Sequence, residues 1–370
     1  MKIVILFLKF LPYHLARIEA LGKIFKVIGV QVSDIDKDYD FNISISNNNN
    51  FIFESLFRGK YIEDIPGGDQ SKAVFDILNK HMPDVVIIPG WGWYFSRIAL
   101  NWAKSNNKLA ILMSDSKNDD KNRSAIKEWL KRRLVKKFDC AIVAGSPHKE
   151  YLISLGMPAE RIMLGFDVVD NEYIANITKK YIEEGLRPIA NKYFLIISRF
   201  IKRKNISSVI DAYKIYKSSL KEHSWDLVFC GSGREESNLR AKISREGITG
   251  VHFTGSVELN EVCRYLAFSE VFIHAAIQEQ WGLVVNEAMA AAKPIIISES
   301  CGCRYDLVCD GKNGFIFDPY DANQLSGIMA NLTLGKFDLR KMGNESEKIV
   351  SFWNPQLFAN NIKLLIEKYK

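Results

Sequence analysis

Short apolar runs recur along the whole chain, separated by longer stretches with an apolar residue at every third or fourth position. In the first half the runs are KIVILFL, VIGVQV, DVVIIP, KLAILMS and CAIVAG. In the second they are YFLIIS, DLVFCG, VHFTG, VFIHAA, PIIIS and GFIFD. Runs this short, bounded by Gly, Pro, Asp or Ser, fit strands buried on both faces, and the 3.6-residue period between them fits helices. Alternating strands and helices predict doubly wound parallel sheets, an α/β fold class. At 370 residues the chain exceeds the size at which a single core keeps growing, so two Rossmann-like domains are expected. The polar, Pro-containing stretch NEYIANITKKYIEEGLRPIANKY, about 171–192, reads as the connection between them, giving domains at 1–180 and 181–351. The closing run WNPQLFANNIKLLIEKYK has helical periodicity over about 352–370, and SNNNN at 46–50 reads as a polar loop tip.

The run EQWGLVVNEAMAAAKPIIIS carries the most informative chemistry. VFIHAA before it reads as a strand, NEAMAAA as a helix and PIIIS as the next strand, so Glu279 precedes the helix and Glu287 lies within it. Trp281, Gly282, Leu283 and Val284 would sit at the helix start, where unpaired N–H groups and a partial positive charge suit an anion such as phosphate. Carboxylates there can accept hydrogen bonds, Glu279 from sugar hydroxyls and Glu287 from a ribose. The alternative is a capping acid and a solvated helix residue. Open parallel sheets bind ligands at the carboxyl ends of their strands, and Arg199, Gly231, Gly233, Glu279 and Asp306 all follow such ends.

Composition narrows the classes. No stretch approaches the roughly 20 apolar residues of a membrane span. The opening MKIVILFLKFLP runs into the amphipathic PYHLARIEALGKI without a small-residue cleavage site, so it reads as a first strand and helix rather than a signal peptide. A cytoplasmic protein is expected, with a peripheral position on the inner face of the plasma membrane as the extension of that reading. The six cysteines show no paired CxxC spacing and fit reduced, core-type thiols; Cys301, Cys303 and Cys309 lack a fourth ligand at suitable spacing, so no metal is expected.

The formal charge is +7, and residues 121–138 (KNRSAIKEWLKRRLVKKF) contain eight Lys or Arg against one Glu. Within them Ile126, Trp129, Leu130, Leu134 and Phe138 recur at helical spacing. One reading is an ordinary helix packing its apolar face inward; the other is a surface for anionic lipid headgroups or a diphosphate-lipid acceptor. No zinc-finger spacing or RNP-like aromatic motif points to nucleic acid.

Several segments together resemble glycosyltransferase family 4, retaining enzymes of the two-Rossmann-domain type called GT-B. The Glu279–Glu287 run is similar to that family's Glu-x7-Glu signature. ISRFIKRKN (197–205) resembles its strand-loop segment, LVFCGSG (227–233) its Gly-x-Gly turn, VHFTGSV (251–257) the segment beside the base, and CDGKNGFIFDP (309–319) its closing Asp-Gly-x-Asn-Gly run. Order and spacing match over roughly 193–320. The resemblance implies that Arg199 and Lys204 bind the donor diphosphate, and that Glu279, Glu287, Gly282, Leu283, Val284, Trp281, Gly231, Gly233 and Val257 surround the donor. It also implies that the first domain supplies the acceptor side and that the closing helix packs back on it.

The first half departs from that pattern. KFLPYHLAR stands where a Gly-Gly pair usually faces the diphosphate, and LMSDSKND lacks the usual His. His14 can contact sugar or acceptor, or simply cap its helix; Asp115 can contact a donor hydroxyl or assist the acceptor. The Trp pair in PGWGWYF can stack on a sugar ring or pack in place. The expected activity is that of a metal-independent hexosyltransferase without cofactor. It would move sugar from a nucleoside-diphosphate sugar to a glycan or lipid-linked saccharide, in bacterial surface polysaccharide synthesis. A sugar-nucleotide epimerase of the same architecture and an inactive nucleotide-sugar-binding subunit are the alternatives.

Overall fold

The computed structural model describes residues 1–36, 51–120 and 124–370; the SNNNN loop expectation therefore lies outside the described residues, as do the first three positions of the basic stretch. The chain forms two units. One comprises Met1–Val169 together with Asn354–Lys370, the other Asp170–Trp353.

In the first unit seven parallel strands, β1 (Lys2–Phe7), β2 (Lys26–Ser33), β3 (Phe51–Phe57), β4 (Val85–Pro89), β5 (Leu109–Ser114), β6 (Cys140–Val143) and β7 (Ile162–Leu164), take the order β3-β2-β1-β4-β5-β6-β7. Helices α1 (Pro12–Gly22), α2 (Gly67–His81), α3 (Tyr94–Ser105), α4 (Ala125–Val135) and α5 (Ser146–Ser154) alternate with them. Ile3 to Leu6 of β1 are fully buried, as a strand covered on both faces requires. The apolar-run reading omits β3 and β7. Every residue of β3 is only partly buried and Glu54 sits mid-strand, where it pairs with Lys80 and His81 at 2.8 and 2.6 Å, so this edge strand lacks a continuous apolar run. β7 has three residues.

The second unit opens with α6 (Asn171–Glu183) and continues through β8 (Tyr193–Ile197), α7 (Ile206–Leu220), β9 (Asp226–Cys230), α8 (Glu236–Arg245), β10 (Val251–Gly255), α9 (Leu259–Phe268), β11 (Val271–His274), α10 (Leu283–Ala290), β12 (Ile295–Ser298), α11 (Arg304–Leu307), β13 (Gly314–Phe317), α12 (Ala322–Thr333) and α13 (Leu339–Val350). Its six parallel strands run β10-β9-β8-β11-β12-β13. The order reverses between β8 and β11, so the loops leaving these two strands diverge and open a crevice at their carboxyl ends.

The expected boundaries are corrected by the packing. The chain passes between units at 169/170 and 353/354 rather than near 180 and 351. The stretch expected as a linker is helix α6, capped by Asp170 and burying Ile174 and Thr178 as it packs on α9 and α10. Only that narrow stripe is buried, so the polar remainder resembles a linker. Asn171 donates its side-chain amide to the carbonyls of Val350 (2.8 Å) and Trp353 (3.1 Å), which fixes the start of this unit against its end. The closing helix α14 (Pro355–Tyr369) buries Phe358, Ile362 and Leu365 against α1, β6 and β7 of the first unit.

Two glycines shape the loops at this crevice of the second unit. Gly231 has φ +139°, and a Cβ there would lie 1.9 Å from the Ser198 carbonyl oxygen; at Gly233 (φ +156°) it would lie 2.6 Å from that of Phe200. Without side chains, the loop after β9 hydrogen-bonds along the loop after β8, Ser198 N–H to Cys230 O (2.9 Å) and Phe200 N–H to Ser232 O (2.8 Å). Gly231→Ala is expected to lower stability by about 2–3 kcal/mol in a denaturant titration, through strained backbone and lost loop pairing. An unchanged midpoint would show that the loops tolerate separation.

Candidate active site

The loop between β11 and α10 is held from three sides. Glu279 bridges to Cys301, Gly302 N–H donates to Glu279 O (3.2 Å), and Cys303 N–H and the Cys301 thiol both donate to Trp281 O (3.2 and 2.9 Å). Trp281 is buried, donates its indole N–H to Asn286 Oδ1 at 2.9 Å and packs its ring 5.3 Å from that of Trp353. Gly282 caps α10 with φ +106°; a Cβ there would lie 3.1 Å from Cys301 Sγ and 3.3 Å from His274 Nε2. Only glycine fits this helix start.

The loop after β8 meets it. Lys202–Lys204 form a 3₁₀ turn ended by Asn205 in the left-handed region (φ 59°), whose side chain donates to Pro319 O at 2.7 Å. Ile277 N–H donates to Arg203 O (2.9 Å), joining the two loops. The result is a carboxylate surrounded by cations. Lys204 Nζ donates to Glu279 Oε2, His274 Nε2 lies 3.1 Å from the same oxygen, and Arg203 Nη1 lies 3.8 Å from Oε1.

The electrostatics follow from this arrangement. Burial alone would raise the Glu279 carboxyl, but the Lys204 ammonium and His274 outweigh it and hold the group far below the usual carboxylate range. Burial likewise works against a charged His274, yet the Cys301 sulfur and the Glu279 carboxylate 3.1 Å away push it up to about 9, which favours the imidazolium at neutral pH. The stabilisation from His274 is complete below its unfolded value of 6.5 and is lost as pH rises through about 9. That from Glu279 is lost only as pH falls below the ordinary carboxylate range. Glu287, one turn into α10, differs. It is partly exposed, no hydrogen-bond donor reaches its carboxylate among the described residues, and burial raises it to about 7.

Lys204, Glu279, Trp281 and Gly282 thus come together, with Leu283, Val284 and Glu287 on the helix that follows. Arg199, Gly231, Gly233 and Val257 lie on the loops after β8, β9 and β10, at the same edge of the sheet. His14 and Asp115 belong to the first unit. The His14 ring accepts from Leu11 N–H (3.2 Å) at the start of α1 and stacks on Phe7 (4.1 Å). Burial and Arg17 push His14 well below its usual value, so it is neutral. Asp115 follows β5 and acts electrostatically on the buried Arg17, whose guanidinium pairs with Asp167 at 3.1 Å. Sequence reading passed over Arg203 and His274. Arg203 sits in the same RFIKRKN run as Lys204, and His274 is concealed within the strand-like VFIHAA.

Comparison with known proteins places this geometry. Over the whole chain the structure superposes on Anabaena Alr3699/HepE in complex with UDP (TM-score 0.74, 16% identity, 100% of both chains). It also superposes on sucrose-phosphate synthase from Thermosynechococcus elongatus (TM-score 0.76, 15% identity, 100% of this chain and 99% of that one). The fold is GT-B. Residues 178–349, nearly all of the second unit, match the family model described as glycosyl transferases group 1. Alpha-monoglucosyldiacylglycerol synthase of Acholeplasma laidlawii is 31% identical over 131 residues, 34% of this chain and 31% of that protein. Other curated relatives are matched over 41% and 54% of their own lengths, so the chain spans well under two thirds of each.

Proposed function

We propose that this GT-B protein is a retaining, metal-independent glycosyltransferase that uses a nucleoside-diphosphate hexose as donor. The reading is carried by the cluster of Lys204, Arg203 and His274 around Glu279, with Glu287, whose carboxylate lacks a donor among the described residues, on the helix that follows. A diphosphate needs fixed positive charge as its leaving-group charge grows, and Arg199, Lys204 and Arg203 supply guanidinium and ammonium groups on one loop. A ribose offers two hydroxyl donors, which suits the unsatisfied Glu287. In the transfer, the acceptor oxygen bonds to the anomeric carbon on the face from which the diphosphate leaves. The carbon–diphosphate oxygen bond breaks with its electron pair going to the diphosphate, and the acceptor proton passes to the departing phosphate oxygen. Glu279 orients the sugar through its hydroxyls while holding the cations in place. A UDP-type donor is favoured by the complexes formed by the structural neighbours with UDP.

The acceptor in this reading is a glycan or lipid-linked saccharide of surface polysaccharide or glycolipid synthesis, the direction in which the glycolipid-synthase relative points. A lipid-linked acceptor would require the enzyme to work at a membrane face.

A panel of UDP, GDP and their sugars in thermal denaturation tests the donor. Ligand at 100 times its Kd should add about 2.7 kcal/mol and raise the melting point by a few degrees. Failure of every nucleotide to stabilise the protein, or isomerisation of the donor sugar without transfer, would sink the proposal. Product NMR reads the anomeric configuration.

A further inference from the structure

Helix α4 is turned inside out. Its face toward the first unit carries Glu128, Lys131 and Val135, three positions one turn apart. Val135 is fully buried, while Lys131 Nζ pairs with Glu128 at 2.7 Å and Tyr151 OH donates to Glu128 at 2.9 Å, so the polar residues are satisfied internally. The opposite face bears Ile126, Trp129 and Leu130, which are 73%, 49% and 54% exposed. Leu134 and Phe138 of the same sequence pattern are packed in; the apolar stripe therefore splits, and its first three members face solvent.

Cations continue that stripe. Arg133 and Lys137 follow Ile126 and Leu130 at helical spacing, and the Arg133 guanidinium lies 3.8 Å from the Trp129 ring centroid. Beyond the helix, Lys136 and Lys137 line a recess of 660 Å³ together with Lys104, Asn101, Asp139 and Arg161. Asp139 is engaged by Lys104 (2.6 Å) and by Ala110 N–H (2.8 Å). Lys136, Lys137 and Arg161 form no ion pair among the described residues, which leaves the recess with excess positive charge. Exposed apolar side chains flanked by cations match one partner, the boundary between acyl chains and anionic phosphate headgroups. A protein surface would need a complementary acidic patch and supplies no reason for a cation-lined recess at the end of the same helix.

We propose that α4 docks the first unit on anionic phospholipid bilayers. Ile126, Trp129 and Leu130 enter the acyl boundary, and Arg133, Lys136, Lys137 and Arg161 hold headgroup phosphates. No helix among the described residues is long and apolar enough to cross a membrane, so attachment of this kind is peripheral. The surface argument stands without the glycosyltransferase reading and supplies that reading with the location of its acceptor.

Flotation of the full chain with vesicles of phosphatidylcholine alone, and of equal parts phosphatidylcholine and phosphatidylglycerol, tests it. Binding is expected to the mixed vesicles only and to weaken in high salt. Removing each cation should cost about five-fold in partitioning, so Lys136→Ala/Lys137→Ala falls roughly 25-fold. Ile126→Ser/Trp129→Ser falls about ten-fold or more through lost apolar burial. Thermal stabilisation by UDP or GDP, which reads the second unit, stays as in the wild type in all these variants. A failed donor reading would abolish it everywhere while leaving vesicle binding intact. Equal binding to both vesicle types, unimpaired binding by the Ser variant, or self-association of the wild type that the Ser substitutions abolish would overturn the proposal.

Discussion

Lys204→Ala is expected to reduce sugar transfer by about 10²–10³-fold, corresponding to roughly 3–4 kcal/mol of lost transition-state stabilisation. In the ligand-free protein Lys204 is engaged by Glu279, so a diphosphate must compete with that carboxylate for the ammonium. The Lys204 and Glu279 side chains are both largely buried, and removing one ion of such a pair usually costs several kcal/mol because the other is stranded. Here Arg203 and His274 remain beside Glu279, so the fold should survive with a lowered melting point. Transfer rates and circular dichroism together separate the outcomes. A folded variant with wild-type turnover would remove Lys204 from the chemistry, and restoration by Lys204→Arg would show that position rather than the ammonium group is what counts.

Glu287→Gln should move two measurements in opposite directions. The carboxyl is raised to about 7 against an ordinary 4.5, so the folded state binds this proton more tightly than the unfolded chain. Stability from this group is therefore complete below pH 4.5, declines as pH rises and is absent above about 7. Neutralising it should stabilise the ligand-free protein at pH 8 by on the order of 2 kcal/mol, discounted for partial solvent contact, and have little effect near pH 4. Donor affinity should instead fall on the order of 10²-fold, since a charged acceptor of two hydroxyls is replaced by a neutral amide. Wild-type affinity should also weaken as pH drops below 7, and the variant should lack that dependence. Denaturant titration and calorimetry at several pH values check both signs; unaltered donor affinity would take Glu287 out of the ribose contact.

Much of this was legible in the sequence, for identifiable reasons. The four interior strands of the second unit, β8, β9, β11 and β12, are short apolar runs because both faces of the sheet are covered there, and the loops that carry Lys204, Gly231 and Glu279 follow three of them. What escaped lacked that signature. β3 is a half-buried edge with a glutamate at its centre, and α6 buries only a narrow stripe. His274 occupies a strand position that periodicity assigns to packing, although its Nε2 belongs to the Glu279 ion cluster. The inversion of α4 could not be read from composition, because burying Glu128 and Lys131 requires Tyr151, which is supplied by α5. A helical period specifies which residues share a face, and tertiary partners decide which face turns inward.

The second unit is an insert within the chain of the first, and Asn171 ties its ends together. Its two ends meet at one point, where a single side-chain amide binds the carbonyls of Val350 and Trp353. During synthesis the first unit therefore stays incomplete through the whole of residues 170–353, and the apolar ground between α1, β6 and β7 is left open until α14 emerges. The second unit, by contrast, is synthesised in full before that helix exists.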